Sequence, residues 1–212
     1  MKLYTFYSPS HKEIYERYFL DSFNAHLSKD FELVAQADRQ ITENGSFSDP
    51  NVSGVWADKI TLLKEAIKAN YGSWFVYADC DIQFFGNIKK DIEDRIEPGL
   101  DIICQEDCGT ICAGFMAINA SLKMYNFMNT VELYHKQSND QIVINQLRNM
   151  IAFKLLPRDR YYTVGNYNRG MVWNDGDPII GAEGVVMHHA NFTVGVANKL
   201  AMLEQVKKIK SI

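Results

Sequence analysis

The stretch Ser73 to Phe85, S-W-F-V-Y-A-D-C-D-I-Q-F-F, constrains the rest of the chain most. Trp74 to Ala78 form a short apolar run of aromatic and β-branched residues, which predicts a buried strand. The run ends in Asp79-Cys80-Asp81, two carboxylates one residue apart, and apolar sequence then resumes. Carboxylates beside a buried strand are costly unless something compensates their charge, and a divalent cation is the usual answer. Open α/β sheets bind ligands at the carboxyl ends of their strands, where this pair would stand. The pattern points to a Mg²⁺ or Mn²⁺ site for a phosphorylated substrate. The plain alternative is a polar turn in which an Asp caps the next element, since D-x-D on its own is a common tripeptide.

At 212 residues the chain fits one large domain with a sizeable core. With 22 basic and 26 acidic residues the net charge is -4, which argues against nucleic acid as a partner held by bulk electrostatics. No apolar run approaches the roughly 20 residues of a spanning helix, and the N-terminus has no export signal. The expectation is a cytoplasmic protein with no membrane insertion. Cys104, Cys108 and Cys112 recur at every fourth residue, but they lack C-x-x-C pairing and a neighbouring histidine. Together with Cys80 they read as buried free thiols.

Taken in order, Lys2 to Tyr7 predict a first strand, broken by Ser8-Pro9-Ser10. Ser10 and Glu13 have capping-box spacing, and apolar periodicity then carries a helix to about His26. Phe31 to Ala35 read as a second strand. Asp38 to Val55 carry the Gly, Asp-Pro and Asn-Gly chemistry of a long loop. An amphipathic helix from Trp56 to Asn70 leads into the Asp79/Asp81 strand. Strand, helix, strand, helix, strand is the signature of an α/β, mainly parallel sheet flanked by helices. Further strands are expected at 100–104, 109–119, 153–156 and 184–189, and helices at 122–135, 139–150 and 196–209. The segment from Arg158 to Gly184 reads as irregular. No repeat or linker interrupts the chain, so a single domain is expected.

These residues together resemble the nucleotide-diphosphosugar glycosyltransferases of the GT-A fold, a Rossmann-like architecture. The retaining families typified by bacterial galactosyltransferases, glycogenin and the plant xylosyl- and galactosyltransferase-like proteins are the nearest in pattern. Four motifs carry the resemblance, in order along most of the chain. A helix bearing Lys59 leads into F-V-Y-A-D-C-D. The segment C-A-G-F-M-A-I-N (112–119) is similar to the family's N-A-G-x-x-x-x-N beneath the donor sugar, with Cys112 in place of the usual Asn. N-D-Q-I-V-I-N (139–145) resembles the D-Q-x-x-x-N helix start. H-H-A-N-F-T-V-G-V-A-N-K (188–199) resembles the C-terminal histidine motif with its glycine, Gly195, and lysine, Lys199.

The resemblance implies a UDP-sugar donor, a hexose-type sugar and a glycan or glycoprotein acceptor. It places residues 1–85 at the nucleotide and residues 100–212 at the donor sugar and acceptor. Asp79 and Asp81 would hold the metal with a histidine, and hard oxygens with one imidazole favour Mn²⁺ over Mg²⁺. His188 and His189 point to opposite faces of an extended segment, so only one can serve readily. His189 is preferred from its place in the motif, with His188 as the fallback. Thr5, Phe6 and Tyr7 would meet the base and ribose, or they simply pack as a first strand. Cys80, Ala113 and Gly114 would line the donor site, and Lys59 or Lys199 would face the phosphates. Asp140 and Gln141 would face the anomeric carbon as the catalytic pair. Asn139 or Asp140 is equally a good helix N-cap with no chemistry.

Glu106 and Asp107, in what reads as a polar loop, are the general-base candidates for an inverting reaction, or else a solvated acidic turn. Trp173, Tyr161, Tyr162 and Tyr167 could stack on an acceptor sugar or pack in the interior. Two other functions share these residues. One is a phosphatase using D-x-D after its first strand, though here some 75 residues precede the motif. The other is a non-catalytic nucleotide-sugar or glycan-binding module.

Overall fold

The computed structural model describes residues 1–43, 49–135 and 138–210, so part of the predicted loop (residues 44–48) lies outside the described residues. Strand β1 (Lys2–Tyr7) lies between β2 (Glu32–Ala37) and β3 (Trp74–Ala78), parallel to both. A second strand group comprises β5 (Ile102–Asp107), β6 (Thr110–Asn119) and β7 (Phe153–Leu155). β6 joins the groups, antiparallel to both β3 and β5, while β7 runs parallel to β5. The sheet order is β2-β1-β3-β6-β5-β7. All strands but β6 run one way, as a mainly parallel sheet requires. A separate small sheet is formed by β4 (Ile82–Phe84), β8 (Tyr161–Tyr162) and β9 (Met187–His189), with β9 in the centre.

Between β1 and β2 the chain makes a 3-10 turn (Pro9–His11), α1 (Lys12–Ile14), a π-helical turn (Tyr15–Leu20) and α2 (Asp21–His26). The helical stretch ends where the periodicity predicts. The capping box does not form, because Pro9 starts the first turn after Ser8, and Glu13 pairs instead with Arg17 one turn on. The hydroxyl of Ser10 is engaged with Ser8 and His11. Helix α3 (Val52–Ala69) begins before the expected Trp56, with Gly54 pressed against the Ile41 side chain. The remaining helices are α4 (Lys89–Glu93), α5 (Leu122–Tyr134), α6 (Asp140–Gln146) and α7 (Val196–Lys210).

Alternation along the strands splits the core into layers. Phe75 and Tyr77 of β3 pack with Ile60, Leu63 and Ile67 of α3 and with α5. Val76 and Ala78 face the other way, toward Phe19, Phe23 and Ile92. The small sheet and α7 share a third cluster around Tyr162, Trp173 and Leu203. Burying one large aliphatic side chain in such a layer is worth about 1.5–3 kcal/mol. Leu63, at the centre of the α3 face, would cost about 2–5 kcal/mol if cut to Ala.

Three expectations need correction. Glu106 and Asp107 are not in a loop; they end β5, and Cys108-Gly109 make a tight two-residue turn with positive φ at both positions (48° and 81°). That turn leaves Cys108 exposed, whereas Cys80, Cys104 and Cys112 are buried thiols as expected. Trp173, Tyr161 and Tyr162 are interior residues; the Trp173 indole donates to the Asp177 carbonyl and Tyr162 stacks on Tyr167. They offer no open aromatic face to a ligand.

Candidate active site

The carboxyl end of β3 opens into a cleft of about 540 Å³ between the two sheets. Asp79 follows β3 directly, and its backbone N–H donates to the Gly114 carbonyl of β6 at 2.7 Å. The β6 backbone is bowed here. Between the Cys104–Met116 and Glu106–Ile111 pairs, β5 contributes only Gln105 while β6 contributes Cys112 to Phe115. A bulge of this kind bends a strand and re-aims its neighbours. The bow brings Gly114 so close that a Cβ would lie 2.2 Å from His189 Cε1 and 2.7 Å from Asp79 Oδ2. Glycine at position 114 is therefore a steric requirement of the site.

Asp79, Asp81 and His189 each present a ligand atom, all within 4.8 Å of one another. His189 Nε2 is 3.3 Å from Asp81 Oδ1 and 3.8 Å from Asp79 Oδ2. It is placed by the β4–β9 ladder, in which Ile82 pairs with His189 and the Ala190 N–H donates to the Asp81 carbonyl. His188, the fallback, points away: it is fully buried, its Nδ1 lies 3.0 Å from Gln83 Nε2, and it leans on Tyr162. Strand alternation separates the two neighbours as the sequence demands, and His188 is no part of the cluster.

Two lysines compensate the acids. Lys59 of α3 lies 3.0 Å from Asp140 and 3.3 Å from Asp79, and Lys199 of α7 pairs with Asp81. Burial would lower the Lys59 pKa, but Asp140 and Asp79 more than offset it and hold the ammonium charged. Burial works against ionisation of Asp81 as well; Lys199 and His189 keep its carboxyl well below the usual range. His189 would lose its proton on burial, yet the Asp81 charge leaves it pushed up to about 10. Burial, with the neighbouring His189, drives His188 down to about 3. In this arrangement cationic side chains supply the positive charge that the buried carboxylates require. Hard carboxylate oxygens plus one imidazole form a donor set that suits Mn²⁺ or Mg²⁺.

The Asp140–Gln141 pair begins α6, and Asn139 caps that helix by accepting from the Ile142 N–H at 2.7 Å. Cap and site residue are thus neighbours, one position apart. Gln141 Oε1 accepts from the Ala113 N–H at 3.0 Å, and its Nε2 donates to Asp107 at 2.7 Å. Asp107, Cys80, Ala113, Gly114, Lys59 and Lys199 all line the same cleft.

Phe6 and Tyr7 line the cleft too, and Tyr7 stacks on Tyr15 at 4.1 Å. Thr5 does not, because its side chain is sealed within the sheet and wholly buried. Gly195 does not line it either; it has φ +83° and its carbonyl receives the Lys199 N–H, so it turns the chain into α7. Sequence reasoning missed His11, which lines the cleft with Nδ1 held by the Ser8 and Ser10 hydroxyls. Burial and the nearby Lys199 lower it to about 4. A single histidine in S-P-S-H gives no periodic or spacing signal.

No protein-family profile matches the chain, and no curated protein matches it in sequence. Solved structures do. A glycosyltransferase involved in the glycosylation of the major capsid of PBCV-1 superposes with a TM-score of 0.65 at 11% identity, covering 98% of both chains. The glycosyltransferase GlyE of Streptococcus pneumoniae TIGR4 gives 0.61 at 12% identity, over all of this chain and 60% of its own. The galactosyltransferase LgtC, in complex with donor and acceptor sugar analogues, gives 0.57 at 13%, over all of this chain and 95% of its own. The shared architecture establishes that the chain has the GT-A fold of these glycosyltransferases, with its own Asp79–Asp81 pair at the end of β3.

Proposed function

We propose that the chain is a metal-dependent glycosyltransferase. It moves a hexose-type sugar from a UDP-sugar to a glycan or glycoprotein acceptor, with retention at the anomeric carbon. One observation carries this reading: Asp79, Asp81 and His189 converge in the same cleft as Lys199 and the Asp140–Gln141 pair.

In this reading the segment 1–85 supplies the nucleotide end of the cleft, with Phe6 and Tyr7 beside the base. Residues 100–212 supply the sugar end. Asp79, Asp81 and His189 would hold the cation, which supplies Lewis-acid charge to the donor diphosphate. As the bond from the anomeric carbon to the phosphate oxygen breaks, its electron pair passes to the diphosphate. Lys199, paired with Asp81 in this structure, would place a point charge there. Neutral His11, at the same end, can donate a hydrogen bond to a phosphate oxygen without competing for the cation.

Asp140 is pinned by Lys59, and Gln141 by Ala113 and Asp107, so a carboxylate and an amide stand fixed before the sugar. Groups fixed before charge develops stabilise an oxocarbenium-like transition state without reorganising during the reaction. The acceptor oxygen bonds to the anomeric carbon and its proton leaves with the diphosphate or solvent.

Calorimetric titration of UDP and a panel of UDP-sugars, with Mn²⁺ and with chelator, tests the proposal. Binding that requires Mn²⁺ and ranks the sugars supports it. Failure to bind under either condition would sink it.

A further inference from the structure

Gln105 is fully buried and lies outside both the D-x-D and the histidine motifs. It is the single β5 residue opposite the bowed segment of β6, and its side chain leaves the large sheet to enter the small one. There its Nε2 lies 3.3 Å from the Tyr161 carbonyl and 3.1 Å from the Tyr162 carbonyl. Its Oε1 lies 3.1 Å from His189 Nδ1.

We infer that Gln105 is a positioning residue that fixes the tautomer of His189, leaving Nε2 as the metal-binding nitrogen. Two carbonyl oxygens can only accept, so the amide nitrogen must face them and give one hydrogen to each. Turning the amide over would set its oxygen against both carbonyls and leave them unpaired in a buried site. The orientation is therefore fixed, and Oε1, which has no proton, faces His189. Nδ1 must carry the hydrogen of that bond. The Cys112 sulfur, 3.5 Å from the same nitrogen, can then only accept from it. With Nδ1 occupied, the lone pair of the neutral ring sits on Nε2, the nitrogen that faces Asp79 and Asp81. Partners of this kind hold a ligating histidine in one tautomer and ring orientation, and losing one typically weakens metal binding about 10–100-fold.

The inference rests on the metal reading of the site, and its test separates the two. Mn²⁺ affinity is measured by the electron paramagnetic resonance signal of free Mn²⁺, on the full chain and on Q105E and Q105L. Thermal melting is recorded in parallel. Glu keeps an acceptor for Nδ1 and loses both donors to the Tyr carbonyls; Leu loses everything. Both variants should melt lower than the parent. Q105E should bind Mn²⁺ within about threefold of the parent or tighter, and Q105L about 10–100-fold more weakly.

If the two variants weaken equally, or Q105L stays folded and binds like the parent, Gln105 is merely structural and the inference falls. If the parent itself shows no Mn²⁺ binding, the metal reading falls and takes this inference with it. Should Q105L fail to fold, ¹⁵N NMR of the parent loaded with ¹¹³Cd²⁺ decides. Coupling to His189 Nε2, with Nδ1 protonated, supports the assignment, and coupling to Nδ1 overturns it.

Discussion

The two sides of the cleft are built differently. On the large-sheet side, Asp79, Asp140 and Gln141 are each tied by hydrogen bond or ion pair to Tyr77, Lys59, Ala113 or Asp107. Those partners all belong to elements of the large sheet or the helices packed on it. On the small-sheet side, Asp81, His189 and Lys199 form an ion-paired group hung on a short ladder and one helix, with Gln105 of β5 reaching across to His189 Nδ1. The first side fixes neutral and anionic groups in advance of a ligand. In the proposed reading the second holds charge in an exchangeable form, in which a bound cation would take the place of the His189 proton and the Lys199 ammonium.

Removing the carboxylate on the exchangeable side should have the largest effect. Asp81→Ala should abolish metal-dependent donor binding and lower transferase turnover on the order of 10³-fold, about 4 kcal/mol. Unchanged donor binding in calorimetry would break the assignment of Asp81.

The two lysines sharpen the contrast in stability. Lys59→Met leaves buried Asp140 and half-buried Asp79 short of a counter-charge and should cost roughly 3–5 kcal/mol in urea unfolding. Lys199→Met leaves Asp81 with His189 still beside it and should cost roughly 1–2 kcal/mol. Equal losses would mean the two sides are not distinct.

Gln141→Ala tests the rigid side alone. Turnover should fall roughly 10²-fold while the Mn²⁺ affinity stays within error, as expected for a group acting on the transition state. A matched loss of Mn²⁺ affinity would place Gln141 on the other side.

On the metal-free fold, pH acts on the two neighbouring histidines in opposite directions. The folded pKa of His188 lies below its unfolded value of 6.5, so stability falls as pH drops from 6.5 toward 3. The folded pKa of His189 lies above 6.5, so its contribution is complete below 6.5 and is lost as pH rises through about 10. Each limb is limited to about 1.4 kcal/mol per pH unit. In melting curves His188→Gln should flatten the acid limb and His189→Gln the alkaline one. Flattening of the same limb by both would show that β9 does not separate them.

Local patterns revealed most of the frame. β1 and β3 have the limits that apolar runs and the Ser8-Pro9 break imply, and α3 and α5 follow apolar periodicity. The D-x-D pair and the divergence of His188 from His189 were also legible, since a strand's period of two acts on adjacent residues. Less legible was whatever depends on contacts between distant segments. Asp107 looked like solvated loop because its strand continues past Cys104 only through the bow in β6. Thr5 and Gly195 belong to motifs near the cleft, but their own positions are decided by sheet burial and by the turn into α7. Gln105 and His11 carry no spacing signal, and only three-dimensional packing gives them partners.

The short ladder that carries His189 has a consequence for the order of folding. Its strands contribute three, two and three residues, too few to persist without the frame around them. His189 meets Asp81 across about half the chain, so this pairing closes one of the longest loops in the fold. Long loops close after local contacts have formed. A chain folding without β9 and α7 can assemble much of the large sheet while the third member of the Asp79–Asp81–His189 cluster is still missing. In the proposed metal reading, cation affinity would then be acquired late, as a mark of finished folding.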